Sequence, residues 1–309
     1  MFSVREVITS RGTLQYRREH LTGIRCRISP DRVKRQIDQT TFIPPPEESC
    51  PFCRDTVFSV TPTFPNGGRI TCGESVTFPN LFPFGEGHIV TVITREHAVP
   101  SFSRQQIEDA LHAQVEALLL TDGFASINWN FLSSAGASLA HPHMQGLSDS
   151  CPSHIVDCYI RASDRFRREQ GKNYWDAVIK EEKSSDRYLF GDEIPWSAHA
   201  VPVGEREVRG ILPISSIDEM ENYVNLTAQG ILEIISLYRK LGTCAFNMSL
   251  FFDKKGCDHE FRAFCSMISR INPNPSSTSD SAFMERLHLE PVILTLPEDL
   301  GKFYKKEKK

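Results

Sequence analysis

The sequence predicts an α+β protein built as two tandem halves, each an antiparallel sheet with packed helices, the second half degenerate. Three observations point there. An alternating β-branched stretch, a capped amphipathic helix and a further alternating stretch occur in that order twice, once before residue 150 and once after it. Each helix start carries a capping-box signature, Ser103 with Gln106 and Ser216 with Glu219. The residues that carry chemistry, a Cys-x-x-Cys pair and a His-x-His-x-Gln row, occur in the first half only. The expected division is therefore 1–150, holding the motifs, and 151–309, repeating the plan without them.

Residues before about Thr41 hold two short strand-like runs and a basic stretch, Ser29–Arg35. The run Pro44-Pro45-Pro46-Glu47-Glu48-Ser49 reads as an extended loop. Ile70–Thr77 and His88–Thr94 alternate as strands do. After Ser103, the residues Ile107, Leu111, Val115 and Leu118 recur at helical spacing to about Leu120, and Asp122-Gly123 ends the helix. Ser126–Leu132 is a strand leading to the histidine row. Ile155–Gln170 and Tyr174–Lys183 read as helices between the halves. In the second half, Pro195–Val203 and Glu207–Leu212 read as strands. Met220, Val224, Ile231, Ile235 and Tyr238 mark a long helix closed by Gly242, and Cys244–Phe252 and Glu260–Ile271 are strands. Asn272–Ser281, rich in Pro, Asn and Ser, is expected to be a mobile loop, and Lys302–Lys309 a solvated tail.

Composition narrows the function classes. The 309 residues carry a net charge of −4, without the basic stripe of a nucleic-acid binder. No apolar run reaches the length of a membrane span, and the N terminus lacks the apolar core of a signal peptide. Nine cysteines in no regular framework argue against a disulfide scaffold. A cytoplasmic protein is the expectation.

The most informative stretch is Gly136–Gln145. On an extended segment, positions 141, 143 and 145 point the same way, which aligns His141, His143 and Gln145. An imidazole is a competent nucleophile or metal ligand near neutral pH, and an amide donates to an anionic oxygen without taking a proton. That combination suits attack on a phosphate better than proton-relay hydrolysis. Upstream, Cys50-Pro51-Phe52-Cys53 has the spacing of half a zinc site. A redox pair would want a strand before it and a helix at it, and the proline-rich run offers neither. Cys50, Cys53, His97 and His141 would complete a tetrahedral zinc site and leave His143 for chemistry. Loss of that zinc is expected to unfold the N-terminal half.

Taken together these residues resemble the galactose-1-phosphate uridylyltransferase branch of the histidine triad superfamily, which also includes nucleotide-sugar and dinucleoside polyphosphate phosphorylases. The resemblance spans nearly the whole chain. It implies that Arg32 and Arg35 stand at the family's basic positions and that Cys50, Cys53, His97 and His141 bind zinc. It further implies that Phe78, Asn80 and Phe82 surround the nucleoside, and that Asn130 and Ser138 bind phosphate. His143 is then the nucleophile, and Gln145 contacts the phosphate. It also implies a homodimer whose sites are completed by the partner. The sequence departs from the pattern in places. Phe251, Arg262 and Phe264 stand where some members place histidines of a second metal site, so no second metal is expected. Leu81 replaces an acidic residue beside the ribose, and the hexose segment is only faintly matched, at Phe283-Met284-Glu285 and Pro297-Glu298. Uridine and hexose specificity therefore do not carry over.

The implied chemistry is transfer of a nucleoside monophosphate, through a covalent nucleotidyl-histidine, between a nucleotide sugar and a sugar 1-phosphate or other phosphate acceptor. A phosphorylase of a nucleotide sugar or dinucleoside polyphosphate is the alternative within enzymes. A zinc-containing nucleotide-binding protein without turnover is the alternative outside them. Hydrolytic members of the superfamily carry histidine where Gln145 stands, which argues against a hydrolase.

Overall fold

The computed structural model describes residues 1–9, 12–34, 50–271 and 279–308. Arg35, the proline-rich run before Cys50, and most of the expected loop at 272–281 lie outside these residues. The N-terminal stretch forms three strands rather than two: β1 (Phe2–Thr9), β2 (Gly12–Glu19) and β3 (Arg25–Ile28). A 3-10 turn follows over Pro30–Lys34, and α1 (Val57–Val60) follows the cysteine pair. Next come β4 (Ile70–Cys72), β5 (Ser75–Pro79), β6 (Gly87–Val92), α2 (Arg104–Leu118), β7 (Phe124–Phe131) and β8 (His143–Asp149). Helices α3 (His154–Gln170) and α4 (Tyr174–Lys183) separate these from β9 (Tyr188–Phe190), β10 (Trp196–Ala198), β11 (Val208–Ile211), α5 (Val224–Lys240), β12 (Phe246–Phe251) and β13 (Phe264–Ser269). The chain closes with α6 (Phe283–Arg286), β14 (Val292–Ile293) and α7 (Pro297–Glu307).

The fold is α+β with largely antiparallel sheets. A four-stranded sheet has the order β1-β2-β3-β14, and a ten-stranded sheet has the order β4-β5-β6-β8-β7-β12-β13-β11-β10-β9. Read from each edge to the centre, the large sheet gives the same sequence of parts: three strands before a helix, then the two after it. The halves meet at β7 and β12, paired antiparallel with Asn130 opposite Asn247 and Asn128 opposite Ser249.

Alternation decides the faces. In β7, Ala125, Ile127, Trp129 and Phe131 are buried while Ser126, Asn128 and Asn130 are half-buried. The buried set joins Met144, Phe246, Met248 and Met267 in a core shared with α2 and α5. Trp129 packs edge-on against Phe131 and Phe246, with ring centroids 5.8 and 5.0 Å away. The opposite face is covered at one end by the cysteine segment, through Phe52 and Val57 on Val76, Phe78, Val90 and Val92. At the other end α3 and α4 cover it, through Tyr159 and Trp175 on Ile211 and Phe264. The polar side chains of β7, β8 and β12 lie between these two lids.

Several elements differ from the sequence-based expectation. Ile70–Thr77 is a hairpin rather than one strand, turned at Gly73 with φ +51°. The Ser216 box opens a 3-10 segment, Ile217–Tyr223, that precedes α5. The lysine-rich end is not a solvated tail. It lies in α7, started by Pro297 at its first turn, which buries Leu300 and Tyr304 and sets Tyr304 against Phe190. The lysines ride on its outer face and mask that stripe in the sequence.

Candidate active site

The cysteine pair, the end of β6 and the approach to β8 converge beside the first lid. Cys50 Sγ lies 3.6 Å and Cys53 Sγ 3.7 Å from His141 Nδ1, and Cys53 Sγ lies 3.4 Å from His97 Nδ1. Ligands about 2.0–2.3 Å from a zinc ion sit roughly 3.5 Å from one another in a tetrahedron, so these spacings fit the edges of one. The tautomer fits as well. His141 Nε2 donates to the Thr94 carbonyl at 2.7 Å, which fixes the proton there and turns the bare Nδ1 toward the sulfurs. Burial pushes the His141 imidazole down to about 4, which keeps it neutral as a ligand must be. Cys50, Cys53, His97 and His141 together could hold a metal ion.

Among the described residues one other set gathers ligand-type atoms, Asp253, Cys257 and His259. There Asp253 Oδ2 and His259 Nδ1 satisfy each other directly at 2.9 Å. The three positions where histidines were absent are otherwise engaged: Phe251 packs on Phe264 at 5.0 Å and Arg262 pairs with Asp176 at 2.6 Å.

His143 opens β8 one strand step from the candidate ligand His141. Its Nδ1 donates to the His141 carbonyl at 2.8 Å, which leaves Nε2 as the unprotonated nitrogen. The ring is 5% exposed and meets the Phe52 ring at 5.3 Å and 68°. Burial lowers its basicity, so the imidazole stays neutral. A neutral ring with a fixed proton and a bare second nitrogen is a ready nucleophile.

Gln145 follows on the same face. His88, buried on β6, has its Nε2 2.9 Å from Gln145 Oε1, and its Nδ1 accepts from the Phe84 amide at 3.3 Å. His88 Nε2 thus lies within hydrogen-bond distance of the Gln145 amide. The Asn80 amide nitrogen lies 3.0 Å from the same Nε2. Asn130, on β7, is held by Asn247 at 2.7 Å. Asn128, its neighbour on this face, accepts from Ser249 Oγ at 2.8 Å and donates to the Gln145 carbonyl at 3.4 Å.

The remaining residues singled out in the sequence are spread. Phe78 is buried against Phe52 at 5.7 Å, whereas Phe82 is 81% exposed, so the two do not share one wall. Asn80 bonds the Phe82 amide at 2.9 Å as well as approaching His88. Ser138 is exposed in the loop before β8. Arg32 is exposed and lines a pocket of about 500 Å³ with Arg270, Asp280, Met284 and Glu285, a pocket that none of His143, Gln145, Asn130 or Ser138 lines. Of the other segment matched to the hexose site, Glu298 is instead engaged by Arg17 and Arg187.

His88, Asn128, Asn247, Ser249 and Arg270 escaped the sequence reading. Only one signal could have found some of them: Asn128-Trp129-Asn130 and Asn247-Met248-Ser249 both place polar residues on alternate positions of an otherwise apolar strand.

No family model matches the chain. An uncharacterized protein of Archaeoglobus fulgidus is 27% identical over 263 residues, covering 82% of this chain and 79% of its own. Among solved structures, an ADP-glucose phosphorylase from Arabidopsis thaliana with bound ADP-glucose superposes with a TM-score of 0.77 at 17% identity, covering 95% of this chain and 98% of that one. A galt-like protein from Arabidopsis thaliana gives 0.74 at 15% identity over 94% and 98%. A uridylyltransferase gives 0.70 at 18% identity over 94% and 97%. The chain has the fold of these phosphorylase and uridylyltransferase structures, as the resemblance drawn from its sequence implies.

Proposed function

We propose, starting from that fold, that the chain is a nucleotidyltransferase acting through a covalent nucleotidyl-His143. The observation that carries the proposal is the fixed tautomer of His143, with Nδ1–H committed to the His141 carbonyl, which leaves Nε2 the unprotonated nitrogen on the strand face that Gln145 shares. In the first step the Nε2 lone pair attacks the α-phosphorus of a nucleotide. The N–P bond forms as the bond to the leaving phosphate breaks, and its electron pair departs with that phosphate. The His141 carbonyl stabilises the positive charge that develops on the ring. In the second step an oxygen of an acceptor phosphate attacks the same phosphorus and releases His143 with its lone pair restored. Neither step needs a proton moved, because both the leaving group and the acceptor are already phosphates. That matches Gln145, whose amide donates to a phosphoryl oxygen but cannot relay a proton.

A zinc ion on Cys50, Cys53, His97 and His141 would supply a rigid cross-link behind the nucleophile, with no open position for substrate. Asn130 and Ser138 are proposed as further phosphate donors, and Phe78, Asn80 and Phe82 as the nucleoside side of the site. Arg32 lies on a separate pocket, so a homodimer in which a second copy brings Arg32 to the phosphates is part of the proposal, to be checked by sedimentation. The division near residue 150 into an active and a degenerate half, and a cytoplasmic location, also stand as proposals.

Candidate donors include ADP-glucose, which the Arabidopsis phosphorylase binds, and UDP-glucose. Because inorganic phosphate is also an acceptor that needs no proton relay, a phosphorylase is the second reading. Intact-protein mass measurement after incubation with each donor should show a nucleoside monophosphate adduct, absent from His143→Asn. Adding a sugar 1-phosphate or inorganic phosphate should discharge it, and the better acceptor separates transferase from phosphorylase. An adduct retained by His143→Asn would refute the mechanism.

A further inference from the structure

We propose that Asn247 and Arg270, both from the second half of the chain, are positioning residues that hold the Asn130 amide with its NH2 toward the His143 site. The proposal rests on the function proposed above. An amide's oxygen and nitrogen have nearly the same shape, so its orientation follows from partners that can act in only one sense. Two such partners fix Asn247. The Arg270 guanidinium can only donate, and its Nη1 lies 2.8 Å from Asn247 Oδ1, which must therefore be oxygen. The Ala135 carbonyl can only accept, and Asn247 Nδ2 lies 2.7 Å from it, which must therefore be nitrogen.

That nitrogen also lies 2.7 Å from one end of the Asn130 amide, which must accept and is therefore the oxygen. Asn247 sits on β12, on one side of β7, and His143 sits on β8, on the other. With its oxygen drawn toward β12, Asn130 presents its NH2 on the β8 side. Arg270 is itself anchored, with its Nε donating to Asp280 Oδ1 at 2.6 Å while Asp280 Oδ2 accepts from the Ile271 amide at 3.1 Å. The relay runs Asp280, Arg270, Asn247, Asn130, and its last member offers the site a donor rather than an acceptor. A phosphoryl group carries only acceptors on its non-bridging oxygens, so a reversed Asn130 would oppose it. By also holding the Ala135 carbonyl, Asn247 fixes the 3-10 turn Ser133–Ala135 that leads to Ser138.

Two variants of Asn247 separate orientation from packing. Asn247→Leu removes the relay and lets Asn130 rotate. Asn247→Asp keeps shape and the Arg270 contact but turns an acceptor toward Asn130, which then reverses its amide and shows its oxygen to the phosphate. The measured quantity is the rate of His143 nucleotidylation from ADP-glucose and from UDP-glucose, with circular dichroism and zinc content as fold controls. Asn247→Leu should slow it about 10-fold and Asn247→Asp about 100-fold or more, with KM within about 3-fold of wild type. A packing role predicts the opposite order, because Asp is the closer isostere. Side-chain amide hydrogen exchange by NMR supplies a readout that needs no substrate: the Asn247 NH2, donating at both hydrogens, should exchange far more slowly than an exposed asparagine. The reverse rate order, wild-type rates in both variants, or fast exchange at Asn247 overturns the proposal. If no donor labels the wild type, the reaction reading fails and slow or fast exchange at Asn247 still decides the relay.

Discussion

Removing the metal from Cys50, Cys53, His97 and His141 should release one layer of the protein and leave the large sheet intact. From sequence alone, loss of zinc is expected to unfold the whole N-terminal half. The structure narrows that. The cysteine segment packs on its own cluster, in which Cys50, Phe52 and Val57 cover Val76, Phe78, Val90 and Val92. The central core is separate and is shared between β7, β8, β12, β13, α2 and α5. Seven side chains at ~1.5–3 kcal/mol each give the layer roughly 10–20 kcal/mol of burial. Ordering the dozen residues 50–61 costs about 1.5 kcal/mol apiece, or about 18 kcal/mol. The two nearly cancel, so an ion bound by these four residues would decide whether the layer persists.

The assay is hydrogen exchange by mass spectrometry on zinc-loaded and chelated protein, repeated with Cys53→Ser. Exchange should accelerate over residues 50–61, 94–98 and 139–143 and stay unchanged in β7, β12 and β13. Nucleotidylation of His143 should fall with it, because Phe52 backs the ring at 5.3 Å. Slow exchange over 50–61 in the chelated protein, or loss of protection in β12 and β13, would show that the layer is not a separate unit held by the metal.

Three further outcomes are expected. Gln145→Ala removes a donor to a charged group worth about 1.5–3 kcal/mol, so transfer should slow roughly 10- to 150-fold while zinc content stays constant; Gln145→His should raise adduct hydrolysis relative to transfer. Glu298 is a second test. Burial pushes its carboxyl up, but the hydrogen bonds and charge of Arg17, with those of Arg187, outweigh that and hold it below its ordinary value. The unfolded chain therefore takes up the proton first as pH falls. The stabilisation is complete above the ordinary value of 4.5 and drains away as pH drops through the native one. Glu298→Gln should cost about 3 kcal/mol at neutral pH, and its Tm gap to wild type should narrow in acid; a gap independent of pH counts against the pairing. Gly230→Ala places a methyl 2.4 Å from the buried Trp196 ring. Overpacking of about 1–3 kcal/mol should exceed the roughly 1 kcal/mol that alanine gains in a helix, lowering Tm by a few degrees, whereas a higher Tm would mean the ring can move.

What the sequence revealed depended on how local each signal was. The strand β7 and helix α2 carry their own periodicity, so their existence was readable from Ser126–Leu132 and from Ile107, Leu111, Val115 and Leu118, although β7 itself runs Phe124–Phe131. Strand β9 is three residues long and exists through its pairing with β10, and β14 is two residues long and exists only because the distant β3 pairs with it. The four candidate metal ligands were readable because cysteine and histidine at those spacings have few other uses. His88 was not: a single histidine in an apolar strand says nothing until Gln145, on the adjacent strand, is seen beside it. Arg32 was readable as a basic position and not as a location, because the small sheet that carries it is placed by the pairing of β3 with β14 near the other end of the chain.

The lack of a His-x-His row in the second half does not make that half expendable. Its strand β12 supplies the far wall of the polar band, and each amide of β7 on that face is held from it: Asn128 by Ser249 and Asn130 by Asn247. The same strand buries Phe246 against Trp129 and Phe131 on the opposite face. Cutting the chain near residue 150 would leave β7 an unpaired edge over Ser126–Phe131, the six residues that now pair with β12, and would bare the aromatic side chains behind it. The amides would then turn freely toward water. A second half without a nucleophile of its own can therefore serve the site through what its side chains do across the joint, because orienting a donor requires only a fixed partner on the next strand, not a second copy of the chemistry.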